Sequence, residues 1–135
     1  MPRILVVDDE APVRAMISIV LRVHHFEIVE AANAVAALQA IGETSFDATI
    51  VDIFLDGTSG FDLITMMRER ASALAVVAIS GMAALDFVSQ WPELTDVVCL
   101  QKPFRPNELM GAIETARKAV GQPTAGDGVG EGAAF

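Results

Sequence analysis

Five side chains of this 135-residue chain could act together on a phosphorus centre: Asp8, Asp9, Asp52, Ser80 and Lys102. Three carboxylates held close together repel one another unless a cation neutralises them, and hard oxygen ligands suit Mg²⁺. An aspartate can attack phosphorus and form an acyl phosphate. Charge developing on the oxygens of the transferred group then needs partners, which a cation, the Ser80 hydroxyl and the Lys102 ammonium would supply. Lysine is otherwise scarce, since only Lys118 joins Lys102 in the whole chain. Taken singly these features are bland: an acidic pair starts helices, Ser80-Gly81 makes a turn, and Lys102-Pro103 is a loop. Their order along the chain is what gives them meaning.

The elements that must position them read as alternating strands and helices. Arg3 to Val7 is a strand by branching and apolarity, and it ends in Asp8-Asp9-Glu10. Pro12 suits the first turn of a helix whose apolar face is Val13, Met16, Ile17, Val20 and Leu21. Phe26 to Glu30 alternates as a second strand, and Asn33 caps an Ala-rich helix that runs past Ile41 towards Gly42. Ala48 to Val51 is a third strand, apolar enough to be buried on both faces, and it delivers Asp52 to its carboxyl end. Ser59 or Gly60 opens a helix carrying Leu63, Ile64 and Met67.

Ala75 to Ile79 is a fourth strand ending at Ser80, and Met82 to Gln90 a helix stopped by Trp91-Pro92. Asp96 to Leu100 is a fifth strand ending near Lys102, and Asn107 to Ala119 a last helix with Leu109, Met110, Ile113 and Ala116 on its buried side. Such alternation gives a doubly wound α/β (βα)5 fold, a parallel sheet covered on both faces in three layers. In the flavodoxin-like strand order 2-1-3-4-5, the first and third strands meet at the switch point, where open sheets bind ligands. The five side chains then converge on one crevice.

Composition narrows the function classes. A hydrophobic content of 53% excludes a disordered chain, and the length suits one domain over 1–120. The last fifteen residues, 121–135, hold five of the ten glycines and read as a flexible tail. A net charge of −9 argues against nucleic acid as a partner, and no apolar run is long enough to span a membrane. The single cysteine, Cys99, suits a reducing, cytoplasmic location.

With these residues in place, the chain resembles the receiver domain of bacterial response regulators, the CheY-like family, over roughly residues 1–120. The resemblance rests on Asp8-Asp9 after the first strand, Asp52 after the third, Ser80-Gly81 after the fourth and Lys102-Pro103 after the fifth. It implies a switch in two-component phosphorelay signalling rather than an enzyme, with Asp52 the phosphoacceptor. It further implies that Asp9 and Asp52 bind Mg²⁺ directly, with the main-chain carbonyl of Phe54 as another ligand and Asp8 assisting through water. Ser80 and Lys102 would hold the phosphoryl oxygens, and the Lys102–Pro103 bond would be cis. The implied partners are a histidine kinase or histidine phosphotransfer protein and a downstream target protein, reached by a stand-alone receiver that is a monomer or weak dimer. Phe87, Trp91 and the last helix are candidate contacts.

The chain also departs from the family pattern. Asp56 and Ser59 stand in the loop after the acceptor where a proline and an aspartate-glycine arrangement are usual. Cys99 occupies the switch position, usually Tyr or Phe, and is too small to swing a ring inward. Phe54 and Met82, two residues beyond Asp52 and Ser80, are apolar where relatives tune access of the hydrolytic water, so slow loss of the phosphoryl group is expected. His24-His25 are surface histidines. Two other functions compete: a receiver-fold binding module that is never phosphorylated, and a haloacid-dehalogenase-like phosphatase. The phosphatase places its second aspartate where Phe54 stands and needs a cap domain for which this chain has no room.

Overall fold

The computed structural model describes residues 2–55, 58–81, 94 and 96–122. Asp56, Met82, the helix expected over 82–90, Phe87, Trp91 and the expected tail from 123 onward lie outside the described residues. Five strands form one parallel sheet: β1 (Arg3–Val7), β2 (Glu27–Ala31), β3 (Ala48–Asp52), β4 (Ala75–Ser80) and β5 (Val98–Gln101). Their order is β2-β1-β3-β4-β5, the doubly wound arrangement expected from the alternation of strands and helices.

Successive strand residues point to opposite faces, and here both faces are apolar, which is why the central strands read as unbroken hydrophobic runs. Ile4, Val6, Ile50, Val77 and Ile79 pack on one side against helices α1 (Ala11–Val23) and α4 (Pro106–Ala119), through Ile17, Leu21, Leu109 and Ile113. Leu5, Val7, Val51, Val76 and Ala78 pack on the other against α2 (Ala34–Glu43) and α3 (Gly60–Arg70), through Ala37, Leu63, Ile64 and Met67. Thr49 is buried on this second side, and its hydroxyl donates to the Leu5 carbonyl at 2.9 Å.

Helix starts follow local chemistry. The Asn33 side chain accepts from the Ala36 N–H at 2.8 Å, and Ser59 accepts from the Phe61 N–H at 3.2 Å. At α4 the Glu108 carboxylate reaches back to accept from the Arg105 N–H at 2.7 Å. His24 and His25 are exposed, as expected, and His25 adopts a positive φ of 67° in the turn before β2.

Two expectations need correction. Met16 does not join the buried face of α1: it is 44% exposed, and Ser18 is buried instead. The inward stripe runs through Ile17 and Leu21, one turn apart, which carries Met16 off its edge. The fifth strand begins at Val98 rather than Asp96, whose carboxylate instead pairs with Arg68 of α3 at 2.9 Å. In α4, Leu109, Ile113 and Ala116 are buried as expected, Met110 packs half-buried against the same core, and Ala112 joins them.

Candidate functional site

Register carries the convergence. Val7 pairs with Val51, so Asp8 follows one strand beside the point where Asp52 ends its neighbour. Asp52 lies opposite Ile79, which puts Ser80 one step further out, and Ser80 lies opposite Gln101, which delivers Lys102. A slip of one residue in any pairing would turn these side chains to the other face.

Asp52 is 4% exposed and doubly held. Its Oδ1 accepts from the Phe54 N–H at 2.9 Å, and its Oδ2 accepts from Lys102 Nζ at 3.1 Å. Asp8 is fully buried; its Oδ1 accepts from the Glu10 N–H at 2.8 Å, while Oδ2 has no hydrogen-bond partner among the described residues. Burial, the largest influence, and the neighbouring Asp52 charge hold the Asp8 carboxyl above its ordinary value, outweighing the Glu10 N–H and Lys102, which act the other way. At Lys102 burial alone would pull the ammonium down. The hydrogen bond and charge of Asp52, with Asp8 and Glu10 behind them, override it and hold Lys102 above its ordinary value.

Ser80 is fully buried at the end of β4, and its carbonyl accepts from the Lys102 N–H at 2.7 Å, tying the two phosphoryl-binding candidates together. The Lys102–Pro103 peptide bond is cis. Phe104, beyond it, packs against the α1–α4 side of the core. Cys99, in β5, is half-buried against the α2–α3 side. Burial pushes its thiol up, so at about pH 8 alkylation of Cys99 by iodoacetamide is expected to run more slowly than that of a small free thiol and to accelerate as pH rises further. A rate equal to the free thiol would contradict the burial.

The structure groups the carboxylates differently from the order expected along the chain. Asp8, Glu10 and Asp52 each offer an oxygen within 4.8 Å of the others, whereas Asp9 is exposed and stands outside this trio. The chain leaves β1 at Val7 and bends at Asp9, and the Glu10 N–H turns back onto Asp8 Oδ1. Arg14, which no motif singles out, braces the turn: Nη1 donates to the Asp8 carbonyl at 2.7 Å, and Nε donates to Glu30 of β2 at 3.0 Å.

The trio suits a hard divalent cation. Three carboxylates face one ammonium, and a buried carboxylate oxygen on Asp8 lacks a partner among the described residues. One divalent ion would balance the charge and satisfy that oxygen. Phe54 also surprises: residues 54–55 and 58–59 pair as a two-residue antiparallel ribbon, and its ring is 63% exposed. Gly60, at the start of α3, lies against the end of β3, its N–H donating to the Ile53 carbonyl at 3.0 Å.

Comparison with known proteins agrees with this geometry. Residues 4–114 match the family model described as the response regulator receiver domain. The phosphate regulon transcriptional regulatory protein PhoB of Pseudomonas aeruginosa is 31% identical over 120 residues, covering 87% of this chain and 52% of that protein. The DNA-binding response regulator MtrA of Mycolicibacterium paratuberculosis is 32% identical over 111 residues, covering 82% of this chain and 49% of that protein. The chain thus spans about half the length of these curated relatives.

Among solved structures, the chemotaxis protein CheY4 of Vibrio cholerae superposes with a TM-score of 0.79 at 23% identity, covering 86% of this chain and 98% of that one, a likeness of fold. The response regulator TrrA of Thermotoga maritima, solved in complex with Mg²⁺-BeF, superposes with a TM-score of 0.74 at 27% identity, covering 86% and 99%. Among the described residues no helix is long and apolar enough to cross a membrane. By its fold, its clustered strand-end residues and the family model that covers most of its length, this chain belongs to the response regulator receiver domain family of two-component signalling.

Proposed function

We propose that Asp52 accepts a phosphoryl group from a histidine kinase or histidine phosphotransfer protein, and that the modified chain signals by contact with a target protein. The single observation behind this reading is Asp52 itself, a nearly buried strand-end carboxylate with Lys102 Nζ at 3.1 Å and the unsatisfied Asp8 carboxylate beside it. An Asp52 oxygen attacks the phosphorus of a phosphohistidine. The P–N bond breaks, the imidazole leaves with its electron pair and takes up a proton, and an acyl phosphate remains.

Lys102, held charged by its acidic neighbours, moves from the carboxylate to the incoming phosphoryl oxygens, and the Ser80 hydroxyl donates to them. Asp9 and Asp52 would hold Mg²⁺ directly, with the Phe54 carbonyl as a further ligand and Asp8 assisting through water, as the family resemblance implies. When bound, the ion would supply positive charge against the transferred group. That a relative of the same fold was solved with Mg²⁺-BeF supports this assignment.

Replacing Lys102 by Met is expected to slow phosphoryl uptake from acetyl phosphate by roughly a hundredfold, the cost of losing one preorganised donor. Uptake at the wild-type rate would remove Lys102 from the chemistry. With Cys99 at the switch position there is no ring to swing inward, so the readout falls to Ser80, β5 and the exposed face of α4. Loss of the phosphoryl group is expected to be slow, because Phe54 offers no polar atom to a hydrolytic water. Phe54→Asn should shorten the lifetime several-fold, and an unchanged lifetime would discard that role.

The test of the reading is beryllofluoride binding followed by fluorine NMR. Saturable binding that needs Mg²⁺ and vanishes in Asp52→Ala supports it. Binding that ignores either would count against it, in favour of a receiver-fold module that works without phosphorylation.

A further inference from the structure

We propose that Arg14 and Glu30 are a positioning pair for the chemistry at Asp52. Arg14 sets the course of the turn at 8–10, and Glu30, on the edge strand β2, acts by holding Arg14 in place; this rests on the phosphoryl-transfer reading above. The main chain at Asp8 is held from both sides. Its N–H donates to the Ala31 carbonyl at 3.2 Å, and its carbonyl accepts from Arg14 Nη1 at 2.7 Å. The second bond fixes the plane of the Asp8–Asp9 peptide, just where the chain bends. Rotation of that plane would carry Glu10 with it and draw its N–H away from Asp8 Oδ1, which accepts it at 2.8 Å. Arg14 also closes the first turn of α1, its own N–H donating to the Glu10 carbonyl at 3.0 Å. One residue thus clamps both ends of the turn.

A guanidinium suits this task because it is planar and presents donors along two edges. While Nη1 faces Asp8, Nε donates to Glu30 Oε1 at 3.0 Å. The two side chains are only 18% and 32% exposed, so the pair is less screened than a surface bridge. Glu30 is itself placed by register, opposite Val6 in the β1–β2 pairing. Without Glu30, the carboxylates at positions 8 to 10 would pull the guanidinium towards themselves and off the Asp8 carbonyl. Arg22 lies 3.9 Å from the other Glu30 oxygen and is 55% exposed, so it adds little.

The consequence is that a carboxylate on the sheet edge governs the rate of phosphoryl uptake through one intermediary. A merely structural pair would lower the melting temperature and leave the rate at saturation unchanged.

The test compares full-length wild type, Arg14→Gln, Arg14→Lys, Glu30→Gln and the double variant Arg14→Gln/Glu30→Gln. Uptake is measured at saturating acetyl phosphate and Mg²⁺, and the Glu10 amide is followed by proton–nitrogen NMR in the metal-free protein. Arg14→Gln is expected to slow saturated uptake roughly tenfold and Glu30→Gln roughly three- to fivefold, as the turn loses its set course. The double variant should be no slower than Arg14→Gln, because Glu30 works only through Arg14. Arg14→Lys keeps the charge but not the fork and should stay slow. In every variant the Glu10 amide should move to higher field as its bond to Asp8 loosens. Effects that multiply in the double variant, full rescue by Arg14→Lys, or a saturated rate within about twofold of wild type in Arg14→Gln would each overturn the proposal. Wild type that takes up no phosphoryl group would instead overturn the reading beneath it, and an unmoved Glu10 amide would still count against the pair.

Discussion

A chain carrying Asp52→Asn is expected to take up no phosphoryl label from acetyl phosphate at any Mg²⁺ concentration. An amide has no anionic oxygen to attack phosphorus, so the nucleophile is lost outright rather than weakened. The fold should survive the change. The amide oxygen can still accept the Phe54 N–H that Asp52 Oδ1 accepts at 2.9 Å. Two electrostatic changes oppose each other: Lys102 loses its carboxylate, and Asp8 loses a like charge that helps hold its carboxyl up after burial. Because Lys102 is partly exposed and can turn to solvent, its loss costs little. The melting temperature should stay within a few degrees of wild type, so absent labelling is read as absent chemistry. Persistent labelling would place the acceptor on another residue.

Gly60→Ala is expected to lower stability by about 2–4 kcal/mol, although alanine favours helices over glycine by about 1 kcal/mol. A Cβ at Gly60 would overlap the Cα of Ile53 and lie 2.9 Å from the Asp52 carbonyl oxygen. Both neighbours are backbone, so no rotamer change gives relief. Either α3 must lift away, taking Leu63, Ile64 and Met67 from the core, or the end of β3 must shift. The second route moves Asp52 itself, so phosphoryl uptake should fall together with stability. Urea denaturation reads the first effect and labelling rates the second. A stability equal to wild type would mean that the α3–β3 contact is looser than this close approach requires.

Most of the fold, and the gathering of Asp8, Asp52 and Lys102 at one sheet edge, is legible in the amino-acid sequence because the signals are redundant. Val6-Val7-Asp8, Ile50-Val51-Asp52 and Ile79-Ser80 each show a buried strand handing over to a polar residue, and a parallel sheet brings its carboxyl ends to one edge. What stays hidden depends on angle rather than on residue type. Three acids in a row at positions 8 to 10 do not say which of them gather with Asp52, because the chain bends at Asp9 and leaves no period to read. Met16 and Ser18 change places because helical spacing defines a stripe but not its centre. The ribbon at Phe54 escapes notice because two-residue strands leave no periodicity to read. Asp96 reads as strand because it precedes an apolar run, yet Arg68, distant in sequence, claims it.

The central claim is that Asp52 becomes an acyl phosphate in a Mg²⁺-dependent step. Incubating the wild-type chain with acetyl phosphate, trapping with borohydride and mapping the peptides by mass spectrometry tests it most directly, since reduction converts a phosphorylated aspartate to homoserine. The predicted result is homoserine at position 52, present with Mg²⁺ and absent when the ion is chelated. No conversion at 52, conversion at another acid, or continued turnover of a phosphate ester without accumulation of the modified chain would contradict it.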